Sequence, residues 1–386
     1  MYNFVTVCKI GYILSDFTLV LLAAGNSTRF KIPVKKQWLR IGHDPLWFYV
    51  TNRIKESLPD VAVVLAAHPD EVPFISSMCD FTVVSGGETR QQSLKNALQH
   101  VSTPYVIVSD IARACVDSEL LLTLIGRKEE GDVIVPALDV IDTVTYRNET
   151  IERDQVKRIQ TPQLSKTSVL RRALDTDQEF TDESSAIVAA GGTRVFVPGD
   201  PRAAKLTHAS DTAVLECLDA PSSIVFTGNG FDVHPFEEGK PMVLGGVTID
   251  SPFGFKAHSD GDVAIHALID ALLGAACLGD IGMLFPDTDA VYKNIDSRVL
   301  LKRCVEKLHN FGFVIAHADI TIIAQTPKIS PYKDEMRRVL ASLLHLPLSR
   351  INVKATTTEH LGFIGRKEGV GVISTASVHY FDWKNG

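Results

Sequence analysis

FTLVLLAAGNSTR, residues 17–29, sets the class of the first half of the chain. Its apolar run, 17–24, is unbroken and ends on Gly25, so it reads as a strand buried on both faces that enters a glycine turn. Small residues in such a turn let backbone N–H groups approach phosphate oxygens, and Arg29 with Lys36 would neutralise charge on a triphosphate. Neither GxxxxGK[ST] nor GxGxxG occurs, so the segment is a phosphate loop of another kind or a plain structural turn. Similar apolar runs recur at 61–67, 105–108 and 132–137, and between them residues 89–100 carry Leu94, Ala97 and Leu98 at helical spacing, with Val101 just beyond. This alternation predicts an α/β domain, Rossmann-like, with a mainly parallel sheet covered on both faces. Asp110 ends one of these strands, where open sheets place ligand groups; it would hold Mg²⁺ on a triphosphate or cap a turn. Lys205 would return a third cation to that place or sit solvated at the surface.

The length, 386 residues, predicts two or three domains, each with its own core. A hydrophobic fraction of 45% and a charged fraction of 22% exclude disordered, collagen-like and membrane chains. With 39 basic and 46 acidic side chains the net charge is −7, too acidic for a non-specific nucleic-acid binder. Cys8, Cys79, Cys115, Cys217, Cys277 and Cys304 lie far apart with no CxxC pair, which predicts neither a disulfide framework nor a thiolate zinc site. Lys9, Gly11 and Asp16 interrupt the apolar N-terminus, and no run reaches the roughly 18 residues a bilayer span needs. The expectation is a soluble, cytoplasmic protein without membrane or nucleic-acid partners. Asp219, Ala220, Pro221, Ser222 and Ser223 read as a linker. The expected organisation is an N-terminal extension 1–15, a first domain 16–217, a linker 218–223 and a second domain 224–386.

Beyond the linker, 260–278 reads as a helix with an apolar face of Val263, Ala264, Ala267, Leu268, Ala271 and Leu272, capped by Ser259 or Asp260. Strand-like runs at 319–324, 351–355 and 371–380 make this half α+β. In GFDVH, residues 230–234, Asp232 and His234 are two apart and share one face of an extended segment. With His266 from the helix they form a donor set suited to zinc with one position open to substrate, although each histidine alone reads equally as a core or surface residue. Asp262 or Asp270, one turn either side of His266, is the expected partner orienting its ring. Asp280, Asp287 and Asp289 lie among apolar residues as in a small polyol site, and Thr356, Thr357, Thr358 and Glu359 end a strand with hydroxyls and a carboxylate.

Taken together, LLAAGNSTR with Lys36, Gly86 and Gly87 before Arg90, Asp110 with Arg113, Thr161-Pro162-Gln163, Thr181-Asp182-Glu183 and Lys205 resemble the 2-C-methyl-D-erythritol 4-phosphate cytidylyltransferases over roughly residues 16–215. The resemblance implies transfer of CMP from CTP to methylerythritol phosphate with release of pyrophosphate. It implies that Arg29, Lys36 and Lys205 stabilise the triphosphate and that Asp110 holds Mg²⁺ or Mn²⁺. Gly25, Gly86, Arg90 and Arg113 would complete the nucleotide site, and Arg153 and Thr181 would grip the sugar-alcohol phosphate. Where that family commonly reads HDAARP, residues 109–114 read SDIARA.

GFDVH, AHSDGDVAIHALIDALLGAA, LGDIG, FPDTD, AQTPK, VKATTTE and LGFIGR likewise resemble the 2-C-methyl-D-erythritol 2,4-cyclodiphosphate synthases over roughly residues 224–384. That resemblance implies an α+β subunit that trimerises with active sites between neighbours, and a hexamer if the first domain also pairs. Asp232, His234 and His266 would bind Zn²⁺ or another divalent cation, while His258 and Thr357 would position phosphate. Asp280 and Gly282 would contact the methylerythritol part, and Ser259, Phe285, Asp287 and Asp289 would also bind substrate. Ala324 and Lys328, with Thr356, Thr358 and Glu359, would enclose the cytidine end and its diphosphate, and Phe363 and Arg366 would also bind substrate. Residues 227–230 replace a histidine-containing turn of that family and keep its two glycines. The expected function is therefore bifunctional, with a second domain active over a nucleotide-binding scaffold as the alternative. The two reactions are separated by a phosphorylation, and no kinase signature is present.

Overall fold

The computed structural model describes residues 14–286, 288–292 and 294–385; most of the expected extension 1–15, and Asp287, lie outside them. Residues 33–35 apart, the chain divides after Ala220 into two compact units.

In the first unit, β1 (Phe17–Ala23) is buried at every residue, as a strand with helices on both faces must be. It pairs in parallel with β2 (Ala62–Ala67) on one side and β4 (Tyr105–Asp110) on the other, and β3 (Thr82–Ser85) extends the sheet from β2. The register sets Leu22 opposite Asp110, so the loop after β1 and the carboxylate that ends β4 open at the same edge. On the far side, β5 (Val133–Asp139), β6 (Lys157–Ile159), β7 (Gln163–Lys166) and β8 (Arg194–Pro198) complete eight strands. β6 and β7 run antiparallel to their neighbours, while β8 pairs with β5 in parallel. α1 (Leu46–Ser57) presents Leu46, Trp47, Val50 and Ile54 inward. α2 (Arg90–Leu98) starts at Thr89, whose side chain accepts from the Gln92 amide at 3.1 Å, and packs Leu94, Ala97 and Leu98 into the core with Val20, Val64 and Val106. α3 (Ser118–Gly126), α4 (Thr167–Ala173) and α5 (Glu183–Ala189) follow in this unit.

Cys115 and Cys217 are disulfide-bonded, with Cα atoms 5.7 Å apart, which corrects the expectation of an unpaired set. The two are 102 residues apart, and only the fold brings the segment after β4 beside the end of the unit. Cys79, Cys277 and Cys304 are free.

The second unit is a five-stranded sheet backed by helices. Its strands are β9 (Val225–Glu238), β10 (Met242–Leu244), β11 (Val247–Ile249), β12 (Phe253–Phe255), β13 (Phe313–Ile323), β14 (Ile351–Thr356) and β15 (Gly369–Tyr380), of which β10 and β11 form a separate hairpin. The order β12–β9–β15–β13–β14 is antiparallel except for the β13–β14 pair. Residues 227–230 are not a turn but lie within β9. The glycines are there because α6 (Val263–Ala275) lies directly on the strand: a Cβ on Gly230 would come within 1.9 Å of the Ala267 carbonyl oxygen. With a period of two, Gly228, Gly230, Asp232 and His234 face the helix that carries His266. The opposite face is open, and Phe231 and Ile373, paired across β9 and β15, are exposed on it.

α6 begins at Asp262 rather than at Ser259 or Asp260: the Asp262 carboxylate accepts from the Ala264 and Ile265 amides, both at 3.1 Å. Gly261 has φ +77°, which keeps the preceding residues out of the helix. Behind it, α7 (Ser297–Asn310) and α8 (Lys333–Leu344) cover the sheet with Leu300, Leu301, Leu308, Leu340 and Leu344. Among the described residues no helix is long and apolar enough to cross a membrane.

A side chain at residue 230 would have to push the helix off the strand. Gly230→Ala is expected to destabilise the second unit by about 2 kcal/mol or more, read as a lowered urea midpoint against wild type.

Candidate active sites

The first site is a cavity of about 600 Å³ at the edge where β1 and β4 end. Gly25, Arg29, Lys36, Gly86, Arg90, Asp110 and Lys205 all line it. Gly86 is required by close approach, since a Cβ there would lie 2.3 Å from that of Ala24. Ser27 ties the loop to the next segment by accepting the Lys36 amide at 2.9 Å, and buried Gln37 donates to both oxygens of buried Glu71, at 3.2 and 3.0 Å.

Asp110 is the centre of charge. Arg90 Nε donates to its Oδ1 at 2.9 Å and Lys205 Nζ to its Oδ2. Burial alone would raise this carboxyl, but Arg90 and Lys205 outweigh it and hold it at about 2. Arg90 is itself held from behind, because Nη1 donates to Glu183 Oε1 at 2.6 Å. Glu183 is 0% exposed; burial pushes its carboxyl up while Arg90 pulls it down. Lys36 carries the opposite strain: burial, with Lys205 and Arg29 nearby, lowers its ammonium to about 8.

Arg113 stands outside the cavity lining and acts on backbone. Its Nη1 donates to the Ala203 carbonyl at 2.6 Å and its Nε to Thr161 Oγ1 at 3.2 Å, while the Leu206 amide donates to the Ala112 carbonyl at 2.8 Å. The 109–114 loop thus fixes the chain on both sides of Lys205. Arg153 and Thr181 are exposed and do not line the cavity. Glu183 belongs to the Thr181-Asp182-Glu183 motif but carries no assigned role in the sequence: it stands 93 residues from Arg90, and nothing local marks it as that arginine's partner.

The second site is a cavity of about 520 Å³ between α6 and the loops that precede it and α7. Asp232 Oδ2 lies 3.1 Å from His234 Nε2 and 3.3 Å from His266 Nδ1. One donor atom from each of the three falls within 4.8 Å of the others, the spacing a single metal ion requires. Burial would raise the Asp232 carboxyl, but the two imidazoles beside it hold it well below the usual range, and Asp232 in turn raises His234 against its burial. His234 Nδ1 faces the Gly261 carbonyl at 3.0 Å, so this nitrogen carries the proton and Nε2 keeps a lone pair free for a metal.

The expected orienters of His266 do other work. Asp262 is fully buried and accepts from the Gly245 and Gly246 amides besides capping α6, and Asp270 accepts from the Ile281 amide at 2.8 Å. A carboxylate one turn from a histidine satisfies the backbone here, because a buried helix end needs it more. The ring partner of His266 is instead Ser297, with Oγ 2.9 Å from Nε2.

His258, Ser259, Gly282, Phe285 and Asp289 line this cavity. Asp280 does not; it caps the short helix Ile281–Leu284 by accepting the Met283 amide at 2.8 Å. Asp287 lies outside the described residues. Ala324, Lys328, Thr356, Thr357, Thr358, Glu359, Phe363 and Arg366 also lie away from the metal cavity. Part of this group clusters where β13 and β14 end: the Ala324 amide donates to the Thr356 carbonyl at 3.0 Å, and Thr357 Oγ1 to Glu359 at 2.6 Å.

Comparison with known proteins covers both units. Residues 17–218 match the 2-C-methyl-D-erythritol 4-phosphate cytidylyltransferase family and residues 225–379 the YgbB family. The bifunctional enzyme IspD/IspF of Sulfurimonas denitrificans is 54% identical over 99% of this chain and 99% of its own. That of Nitratiruptor sp. is 55% identical over 96% of this chain and 99% of its own. The solved structure of bifunctional IspDF from Campylobacter jejuni superposes with a TM-score of 0.89 at 48% identity, covering 95% of this chain and 99% of that one.

Removing Glu183 leaves Arg90 in a buried place with half its partners. Glu183→Ala is expected to lower the stability of the first unit by about 3 kcal/mol or more, measured by urea unfolding followed through Trp38 and Trp47.

Proposed function

The chain belongs to the bifunctional IspD/IspF enzymes, a cytidylyltransferase joined to a cyclodiphosphate synthase of isoprenoid biosynthesis, and from that premise we propose a role for each residue gathered in its two sites. In the first reaction an oxygen of methylerythritol 4-phosphate attacks the α-phosphorus of CTP, and pyrophosphate leaves. Gly25 and Gly86 leave room for the nucleotide beside the backbone. Arg29, Lys36 and Lys205 clamp the triphosphate and take up the charge that develops on the departing pyrophosphate. Asp110 would hold Mg²⁺, and Lys205, released from Asp110 by the incoming nucleotide, turns to phosphate. Arg90, pinned by Glu183, keeps Asp110 in place, and Arg113 fixes the segment that delivers Lys205. Arg153 and Thr181, exposed outside the cavity, receive the methylerythritol phosphate. The observation that carries this reading is the meeting of Arg90 and Lys205, from distant parts of the chain, on the one carboxylate of Asp110.

In the second reaction the 2-phosphate of the substrate attacks its own β-phosphorus, closing a cyclic diphosphate and expelling CMP. Proximity does most of the work, since both partners are on one molecule. Asp232, His234 and His266 would hold Zn²⁺, and the donor set of two imidazoles and one carboxylate fits it. A divalent cation held there, together with Mg²⁺ or Mn²⁺ accompanying the substrate, would supply positive charge against the oxygens that otherwise repel the attacking anion. His258 and Ser259 hold phosphate at the cavity wall, while Gly282, Phe285 and Asp289 shape the methylerythritol end. Thr357, with Thr356, Thr358, Glu359, Ala324 and Lys328, takes the cytidine diphosphate end. Because this group is apart from the metal cavity in one chain, the full site needs a second copy. The exposed Phe231–Ile373 face of the sheet is the surface on which three chains would close a trimer. The need for CTP and phosphorylated substrates supports a cytoplasmic location.

Three measurements test this reading. With CTP varied, kcat/KM for pyrophosphate release should fall as pH rises through about 8, where Lys36 loses its charge. In Lys36→Arg that limb should move up by more than a pH unit, because a guanidinium stays protonated. Protein stripped with a chelator and assayed in Mg²⁺ should lose CMP release about 100-fold or more and regain it on adding zinc. Light scattering should return a multiple of three chains, whereas a monomer with full CMP release would contradict the shared site.

A further inference from the structure

His234 has its proton fixed by a backbone carbonyl, but His266 faces only hydroxyls on the side away from Asp232. A hydroxyl donates or accepts, so by itself it leaves the tautomer of the ring open. What decides it stands one step further out. Ser297 Oγ is 2.5 Å from Asp260 Oδ1, and the Ser297 amide donates to Asp260 Oδ2 at 3.1 Å. Ser297 is 0% exposed and opens α7, so its hydroxyl has no water to turn to.

We propose that Asp260 and Ser297 are positioning residues that fix the proton of His266 on Nε2 and so aim its Nδ1 lone pair at the metal. A carboxylate accepts only, so the single hydroxyl proton of Ser297 goes to Asp260. The oxygen of Ser297 then has only lone pairs to offer His266, 2.9 Å away, and the imidazole must be the donor. Nδ1 is thereby left unprotonated on the side where Asp232 Oδ2 lies 3.3 Å away. Ser259 Oγ, 3.2 Å from the same Nε2, accepts from the Gly261 amide and adds a second acceptor. The relay joins the loop ahead of α6 to the start of α7, and backbone bonds from Asp260 to Ile295 and from Asn294 to His258 hold those segments together. Asp260 is 37 residues from Ser297, which is why no local spacing reveals the pair.

This inference rests on the reading that Asp232, His234 and His266 bind a divalent cation, and the test separates the two. The zinc dissociation constant of the full-length protein is measured by competition with a chromogenic zinc chelator, for wild type and Ser297→Ala. The expected result is an affinity about 10- to 100-fold weaker in the variant, with the metal-free proteins melting together. Equal affinity would overturn the relay while leaving the metal site standing, and wild type that takes up no zinc would overturn the metal reading itself. Should Ser297→Ala not fold, neutron diffraction from zinc-loaded wild-type crystals decides. Deuterium on His266 Nε2 with none on Nδ1 is expected, and an Nε2 without deuterium would overturn the proposal.

Discussion

Each unit is organised around one carboxylate that is taken partly out of water and kept ionised by groups from distant segments. Asp110 has Arg90 and Lys205, and Asp232 has two imidazoles. A charge in such a place is costly unless it is paired, so the counter-groups are a condition of the fold as well as of the chemistry. The same arrangement stores function. Burial, and after it the neighbouring Lys205 and Arg29, lowers the Lys36 ammonium, a crowding of cations that a bound triphosphate would relieve. Imidazoles turned toward Asp232 form a donor set whose natural occupant is a divalent cation.

Backbone packing makes both hubs possible. In the first unit the strand register sets Leu22 opposite Asp110, and Gly86 lets a second loop close on the first. In the second, Gly228 and Gly230 allow a helix to lie on a strand with carbonyl oxygens almost touching it, and the next two residues on that face are Asp232 and His234. One periodicity therefore carries both the packing and the ligand set.

What was legible in the sequence followed from local patterns. The unbroken run 17–24 gave away a strand buried on both faces, and the two-residue step from Asp232 to His234 put both on one side of a strand. The turn that the resemblance implies at 227–230 is instead part of a strand, where each glycine marks another backbone passing close by. Carboxylates misled for a related reason. Asp262 and Asp270 sit one turn from His266, yet buried backbone amides claim both, and the ring turns to Ser297 instead. The Cys115–Cys217 bond, the Glu183–Arg90 pair and the Asp260–Ser297 pair were illegible because each joins residues brought together only by the fold.

If each unit works around its own hub, the two activities in one preparation must be separable. The most direct measurement assays pyrophosphate release from CTP and methylerythritol phosphate, and CMP release from the phosphorylated cytidyl substrate, on the same samples of wild type, Lys36→Ala and Asp232→Asn. The account predicts a crossover: Lys36→Ala loses the first activity by about 100-fold or more and keeps the second within about twofold, and Asp232→Asn does the reverse. Loss of both activities in either folded variant would contradict it.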